Sequence, residues 1–299
     1  MTLKLYTNKE LPEPDYHGEK YKDYLSGSTL WGFLDSCPAE VVYGERKETQ
    51  ALADGSAMHS NVLEMQTFDE LYYRAYEASE SAVRTQSGIK AKMKELGLKA
   101  STKGGIWSWC CALLTAEPEI EIEEVESLLI DYGNTGKSKL KPETYDNTLQ
   151  MRNQLTQYPK YAELINNGQC EHSIVGEMEI NGRMVKVKTR PDIIYGNTIT
   201  NYKTTASAKP DKIIRDSFGF GYFAKEYFNA LVFEARFGYF PEILILAQSK
   251  KKPFVCTGIK LTDEQIEIGR LQFERAFALW CACEDAGTYI DYTQGEFIE

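Results

Sequence analysis

No apolar run in the 299 residues reaches the roughly 18 needed to cross a bilayer, and the N-terminus lacks a secretory leader pattern. A chain with no membrane partner is expected, working in the cytoplasm. Histidine is scarce, at three residues. The seven cysteines (Cys37, Cys110, Cys111, Cys170, Cys256, Cys281 and Cys283) are odd in number and show no Cys-x-x-Cys spacing. That excludes an obvious zinc site or disulfide framework and predicts buried free thiols in a reducing compartment. Positive charge is in deficit: 34 Lys and Arg against 44 Asp and Glu give a net charge of −10. Such a balance argues against a protein that coats nucleic acid without regard to sequence, but permits a local basic lining. A hydrophobic fraction of 42% with 12% aromatics suits a folded globule, of one large domain or two small ones.

The most informative stretch is 171–205. Asn181-Gly182 is a strong two-residue hairpin signal, because both central positions need positive φ, and Gly196-Asn197 is a weaker one. With β-branched flanks, they predict three consecutive antiparallel strands near 171–180, 183–194 and 198–205. The first turn pairs Ile180 with Arg183 and so sets Glu171 opposite Asp192. The second pairs Tyr195 with Thr198 and sets Asp192 opposite Asn201, with Lys203 two residues along on the same face. Glu177 and Glu179 compete with Glu171, but the register sets them opposite Lys186 and Met184.

Carboxylates about 5 Å apart repel by roughly 3 kcal/mol at an effective dielectric of 20, so such a row wants a cation. Oxygen ligands converging with one lysine suit a Mg²⁺ site that hydrolyses phosphodiesters. The bland alternative is a solvated sheet face on which Glu and Lys pair across strands.

Elsewhere, residues 1–24 read as a polar, proline-bearing arm. Ser26 or Ser28 caps a helix through Leu34, which Pro38 stops. Small residues precede His59 on a helix whose apolar stripe is Met58, Val62 and Met65. Residues 68–127 look helical and charged. Lys90, Lys92, Lys94, Lys99 and Lys103 there form either a solvated face or a DNA-facing lip, and Trp107 and Trp109 fit a core better than a stacking platform. A helix and its continuation over 141–168 bury Leu149, Met151, Leu155 and Tyr158. A helix at about 219–236 follows, with Phe223, Tyr227, Ala230, Leu231 and Glu234 at helical spacing. A buried strand from Glu242 pairs with one from Phe254 across a turn carrying Lys250, Lys251 and Lys252. Thr262 then caps a long helix ending near Gly287.

Arg190-Pro191-Asp192 followed by Asn201-Tyr202-Lys203-Thr204-Thr205 resembles the PD-(D/E)XK nuclease core. More narrowly it resembles the RecE-type (exodeoxyribonuclease VIII) branch, relatives of lambda exonuclease and the RecB nuclease domain. Asp15-Tyr16-His17-Gly18, Ser36-Cys37-Pro38, Gly55-Ser56-Ala57-Met58-His59 with Leu63-Glu64, and Tyr289-Ile290-Asp291-Tyr292 extend the likeness over nearly the whole chain. The resemblance implies a single α/β domain over 1–299: a mixed sheet with an antiparallel three-stranded centre, flanked by helices, its core at about 141–260. It implies a Mg²⁺- or Mn²⁺-dependent exonuclease that digests one strand of double-stranded DNA from an end for recombination, in a bacterial or phage-infected cell. A RecT-like annealing protein and a homo-oligomeric ring are the implied partners. His59, Glu171, Asp192, Asn201 and the Tyr202 carbonyl are the implied metal ligands, with Lys203 acting on the attacking water. Lys250, Lys251 and Lys252, and Asn229 at a degenerate Gln-x-x-x-Tyr position, are the implied DNA contacts.

The family has an acid where this chain has Asn201. Three readings stay open there: weak catalysis with an amide ligand, an inactivating replacement of the acid, or a DNA-end-binding or assembly protein without activity.

Overall fold

Asn181 and Gly182 both take positive φ, 51° and 80°, as the hairpin loop requires. In the computed structural model, which describes residues 2–45, 50–99 and 104–292, this turn joins strands paired from Ile180↔Arg183 onward. Lys103 of the lysine cluster lies outside the described residues.

In chain order the elements begin with β1 (Lys4–Tyr6), α1 (Glu13–Tyr16), α2 (Gly27–Asp35), α3 (Pro38–Tyr43) and α4 (Gln50–Leu63). Next come α5 (Met65–Leu71), β2 (Tyr72–Arg74), α6 (Gln86–Glu95), α7 (Gly105–Ala116), α8 (Glu123–Gly133) and β3 (Ser138–Leu140). The helices α9 (Pro142–Thr156) and α10 (Pro159–Asn167) lead into β4 (Gln169–Cys170), β5 (Ser173–Ile180), β6 (Arg183–Thr189), β7 (Ile193–Tyr195) and β8 (Thr198–Thr205). The chain continues through α11 (Pro210–Gly219), α12 (Tyr222–Phe237), β9 (Glu242–Ser249), β10 (Cys256–Lys260) and α13 (Asp263–Ala286). These elements divide into two units, residues 1–64 with 150–299, and residues 65–149.

The first unit is mixed α/β, as expected, but its sheets are partitioned differently. A three-stranded antiparallel sheet runs β1-β5-β6, and a five-stranded mixed sheet runs β10-β9-β8-β7-β4. The strand expected over 183–194 is broken at 190–192, so its two halves belong to different sheets. Pro191 has no N–H to continue a ladder, and Glu171 across from the break takes φ 55°, a left-handed kink. The register survives the break: Ile174 faces Thr189 on one side and Cys170 faces Ile193 on the other, as one uninterrupted hairpin would demand. Residues 1–24, read as an arm, contribute β1 to the sheet and bury Leu11, Tyr16 and Tyr21 against Val175.

Alternation on β8 and β9 gives the larger sheet two buried faces. Ile199, Ile243, Ile245 and Ala247 face a core with Phe223, Phe228 and Phe233 of α12 and Phe273 of α13. Tyr202 and Leu246 face the other way, into a cluster with Val62, Leu63, Leu155 and Ile165. Ser26 caps α2 and Thr262 forms the capping box of α13. Pro38, expected only to stop α2, is the first residue of α3, where its missing N–H costs nothing. Met65, Leu149 and Tyr158, read as buried, are exposed: Met65 and Tyr158 lie where one helix ends and the next begins, and Leu149 is on an exposed position inside α9.

The second unit has its own core of Ile89, Met93, Trp109, Cys110, Leu113, Ile120 and Ile122. Trp109 is buried and Trp107 exposed. Lys90 sits 4.8 Å above the Trp109 ring, Lys92 pairs with Glu95 and Glu117, and Lys94 and Lys99 are exposed. All seven cysteines are free, but only Cys37, Cys110 and Cys283 are buried. No helix of the described residues is long and apolar enough to cross a membrane.

Helices α12 and α13 cross at Gly269, where an added Cβ would fall 2.4 Å from the Phe223 carbonyl oxygen. Gly269→Ala is therefore expected to destabilise the protein by roughly 1–3 kcal/mol through overpacking. An unchanged urea midpoint would show that the crossing yields freely.

Candidate metal centre

The β6–β7 break aims Asp192 into the protein. The Tyr202 N–H donates to Asp192 Oδ2 at 2.6 Å, and Glu171 is tied alongside through its own N–H to the Asp192 carbonyl, 3.0 Å away. Arg190 braces the break: its guanidinium donates to Ser173 Oγ at 2.7 Å and to the Leu11 carbonyl, and stacks 4.5 Å from the Tyr16 ring. Between these tethers the carboxylate of Asp192 has little freedom.

Helix α4 brings His59 to the same point. Its Nε2 lies 3.0 Å from the Tyr202 carbonyl oxygen and 3.3 Å from Asp192 Oδ2, while Nδ1 lies 3.5 Å from Glu171 Oε1. Ligand atoms of His59, Glu171 and Asp192 all fall within 4.8 Å of one another. Lys203 reaches in from β8, its Nζ 3.8 Å from Asp192 Oδ2. Four of the residues expected at the site, and the Tyr202 carbonyl, thus converge.

Asn201 is on the face of β8 that meets α12. Its Nδ2 donates to Glu226 Oε1, while Oδ1 is enclosed with no hydrogen-bond partner. Asn229, expected to contact DNA, has both ends of its amide occupied internally. It donates to Glu226 Oε2 at 3.1 Å and accepts from Thr189 Oγ1. Lys250, Lys251 and Lys252 are exposed in the β9–β10 turn. Glu64 accepts from Asn8.

The charges hold one another in place. Burial disfavours the His59 imidazolium, but Asp192 and Glu171 outweigh it and push its pKa up to about 10. Burial likewise opposes a charged Asp192, yet Lys203, His59 and the Tyr202 N–H keep it below the usual carboxylate range. Burial dominates at Glu171 and raises it. The same cause pushes Glu226 up to about 7.

Sequence reasoning passed over Glu226, which is 1% exposed. The signal was present: Phe223, Glu226, Ala230 and Phe233 share one buried face at three- and four-residue spacing, and a carboxylate on such a stripe is unusual.

The donor set fits a hard divalent cation. Two carboxylates, a backbone carbonyl and one imidazole converge, and no thiol joins the group of His59, Glu171 and Asp192. A protonated His59 and a cation compete for the same carboxylates, since the imidazole must be neutral to ligate.

Without a cation the imidazolium has a measurable signature. Its folded-state pKa lies above the ordinary 6.5. The stability it contributes is therefore complete below about pH 6.5 and fades as pH rises toward 10. Urea midpoints in chelator should fall across that window, and His59→Gln should flatten the fall. An equal slope in the variant would remove His59 from the balance of charge.

Known proteins bear on this arrangement through the fold. No curated protein matches the chain. The crystal structure of a "Putative exonuclease" from Eubacterium rectale is similar over 97% of this chain and 94% of its own, at 14% identity and a TM-score of 0.59. At that identity the likeness concerns architecture alone. The crystal structure of SSO0001 covers 64% of this chain and 84% of its own at 16% identity, with a TM-score of 0.27, too low to carry an argument. The family described as "PDDEXK-like domain of unknown function (DUF3799)" matches residues 26–288, in keeping with the PD-(D/E)XK resemblance of the motif. That span is most of the chain and takes in every residue of the site, and the chain belongs to this family.

Proposed function

We propose that the protein is a divalent-metal-dependent exodeoxyribonuclease acting on the ends of linear double-stranded DNA. One observation carries the reading: His59, Glu171 and Asp192 converge within 4.8 Å, with Lys203 at 3.8 Å from Asp192. This is the placement that phosphodiester hydrolysis by a PD-(D/E)XK site asks for.

In this proposal His59, Glu171, Asp192, Asn201 Oδ1 and the Tyr202 carbonyl hold the cation. Bound Mg²⁺ or Mn²⁺ would supply an acidified water and offset charge on the phosphoryl oxygens. Lys203 orients the attacking water and stabilises the charge that develops on the phosphate. The Tyr202 N–H holds Asp192 Oδ2 in place. Beside Lys203 lies a cavity of about 300 Å³, lined among others by Lys212, Lys250, Phe220 and Tyr222. Cationic and aromatic groups together suit a phosphate and its base, and Lys250 extends the track toward Lys251 and Lys252. The proposal includes a RecT-like annealing partner, a ring of identical subunits and a bacterial or phage-infected cell, which rest on the RecE-type resemblance of the motifs. Asn201 favours a second reading, a protein that binds duplex ends without cutting.

The test is linear and covalently closed duplex, each incubated with the protein and Mg²⁺. Loss of linear duplex alone, abolished by Asp192→Ala and slowed on the order of 100-fold by Lys203→Ala, is the expected result; the latter corresponds to about 3 kcal/mol of barrier. Retention of intact linear ends in a gel shift without degradation would favour the second reading. Neither binding nor cutting would overturn both.

A further inference from the structure

We propose that Glu226 takes the place of the acid missing at position 201, as a positioning residue delivered to the metal centre by a helix instead of by the strand. The inference rests on the metal-site reading given above. Asn201 holds the strand position opposite Asp192 but brings no charge. The side chain hydrogen-bonded to its amide is a glutamate, 1% exposed. The position that lost a carboxylate therefore has one standing directly behind it.

Three features separate this arrangement from ordinary packing. The first is the set of partners around Glu226. Its two oxygens accept from the neutral amides of Asn201 and Asn229, and no lysine or arginine nitrogen among the described residues lies within 4 Å of it. A buried carboxylate served only by amides is costly, and a glutamine would fill the same space without that cost. Retaining the charge makes sense where a cation is to be attracted.

The second feature is direction. An ionised carboxylate can only accept, so with Glu226 charged the end of Asn201 that faces it is the N–H₂ end, which donates to Oε1. The amide oxygen is thereby the end left out of the bond to the helix, and this enclosed Oδ1 has no partner. Glu226 thus fixes which end of Asn201 is presented to the cation. The third feature is support from behind: Asn229 Oδ1 accepts from Thr189 Oγ1, on the last residue of β6 before the break that aims Asp192. One chain of hydrogen bonds joins Glu226 to both strands of the site.

The experiment is Mn²⁺ binding by the intact protein, followed by electron paramagnetic resonance of the free ion, with folding checked by circular dichroism. Glu226→Gln is expected to weaken Mn²⁺ at least ten-fold. Asn201→Asp combined with Glu226→Gln, which returns the acid to the strand and keeps the hydrogen bond with its polarity reversed, should recover affinity to within about three-fold of the parent. A Glu226→Gln protein that binds as the parent does, or a double variant as weak as the single one, overturns the proposal. Should Glu226→Gln alone fail to fold, the double variant decides: parent-like affinity supports the proposal and a ten-fold loss overturns it. Asp192→Asn separates the two levels. If it leaves Mn²⁺ affinity unchanged, the metal-site reading itself fails. If it abolishes binding while Glu226→Gln does not, only the role of Glu226 falls.

Discussion

The fold is arranged around the mutual repulsion of carboxylates kept close together away from bulk water. At roughly 5 Å and an effective dielectric of 20, each such pair costs about 3 kcal/mol. The structure does not separate them; it surrounds them. His59 arrives from α4 on one side and Lys203 from β8 on the other, and the Tyr202 N–H donates to the shared oxygen of Asp192. Helix α12 adds further negative charge behind Asn201 in Glu226.

That environment explains why the strand breaks where it does. A continuous strand through 183–194 would hold Asp192 in a flat ladder, with its side chain equally spaced from its neighbours. Pro191 interrupts the ladder and the left-handed Glu171 bends the opposing segment, so the two residues approach through backbone and side chain together. Arg190 then locks the joint from behind through Ser173, Leu11 and Tyr16. The motif's arginine is a brace here, and the proline is a hinge frozen in one position.

Much of this was legible in the residues. The Asn181-Gly182 and Gly196-Asn197 turns carry enough geometry to set every pairing of the two hairpins from Gln169 to Thr200, and the register held even across a break that was not foreseen. The break itself was hidden because an alternating apolar pattern reads the same whether a strand stays in one sheet or passes into another. His59 came from the resemblance and not from spacing, since a single histidine on a helix has no periodic signature. Glu226 was passed over because attention went to Asn229, one turn further on, where the family pattern pointed. A carboxylate buried on an apolar stripe was the better signal. The division at residues 65–149 was not read either, because helical, charged sequence does not reveal which core it belongs to.

Tyr202 makes three commitments at once: its N–H to Asp192, its carbonyl beside His59, and its ring, with the hydroxyl on Gln248, in the cluster beneath the sheet. A strand fastened in three directions by one residue cannot slide. Displacement by a single position would turn Lys203 into the cluster of Val62, Leu63, Leu155 and Ile165 and the tyrosine out of it. The apolar packing of the Tyr202 ring and the hydrogen bonds of its backbone therefore hold the centre in one register.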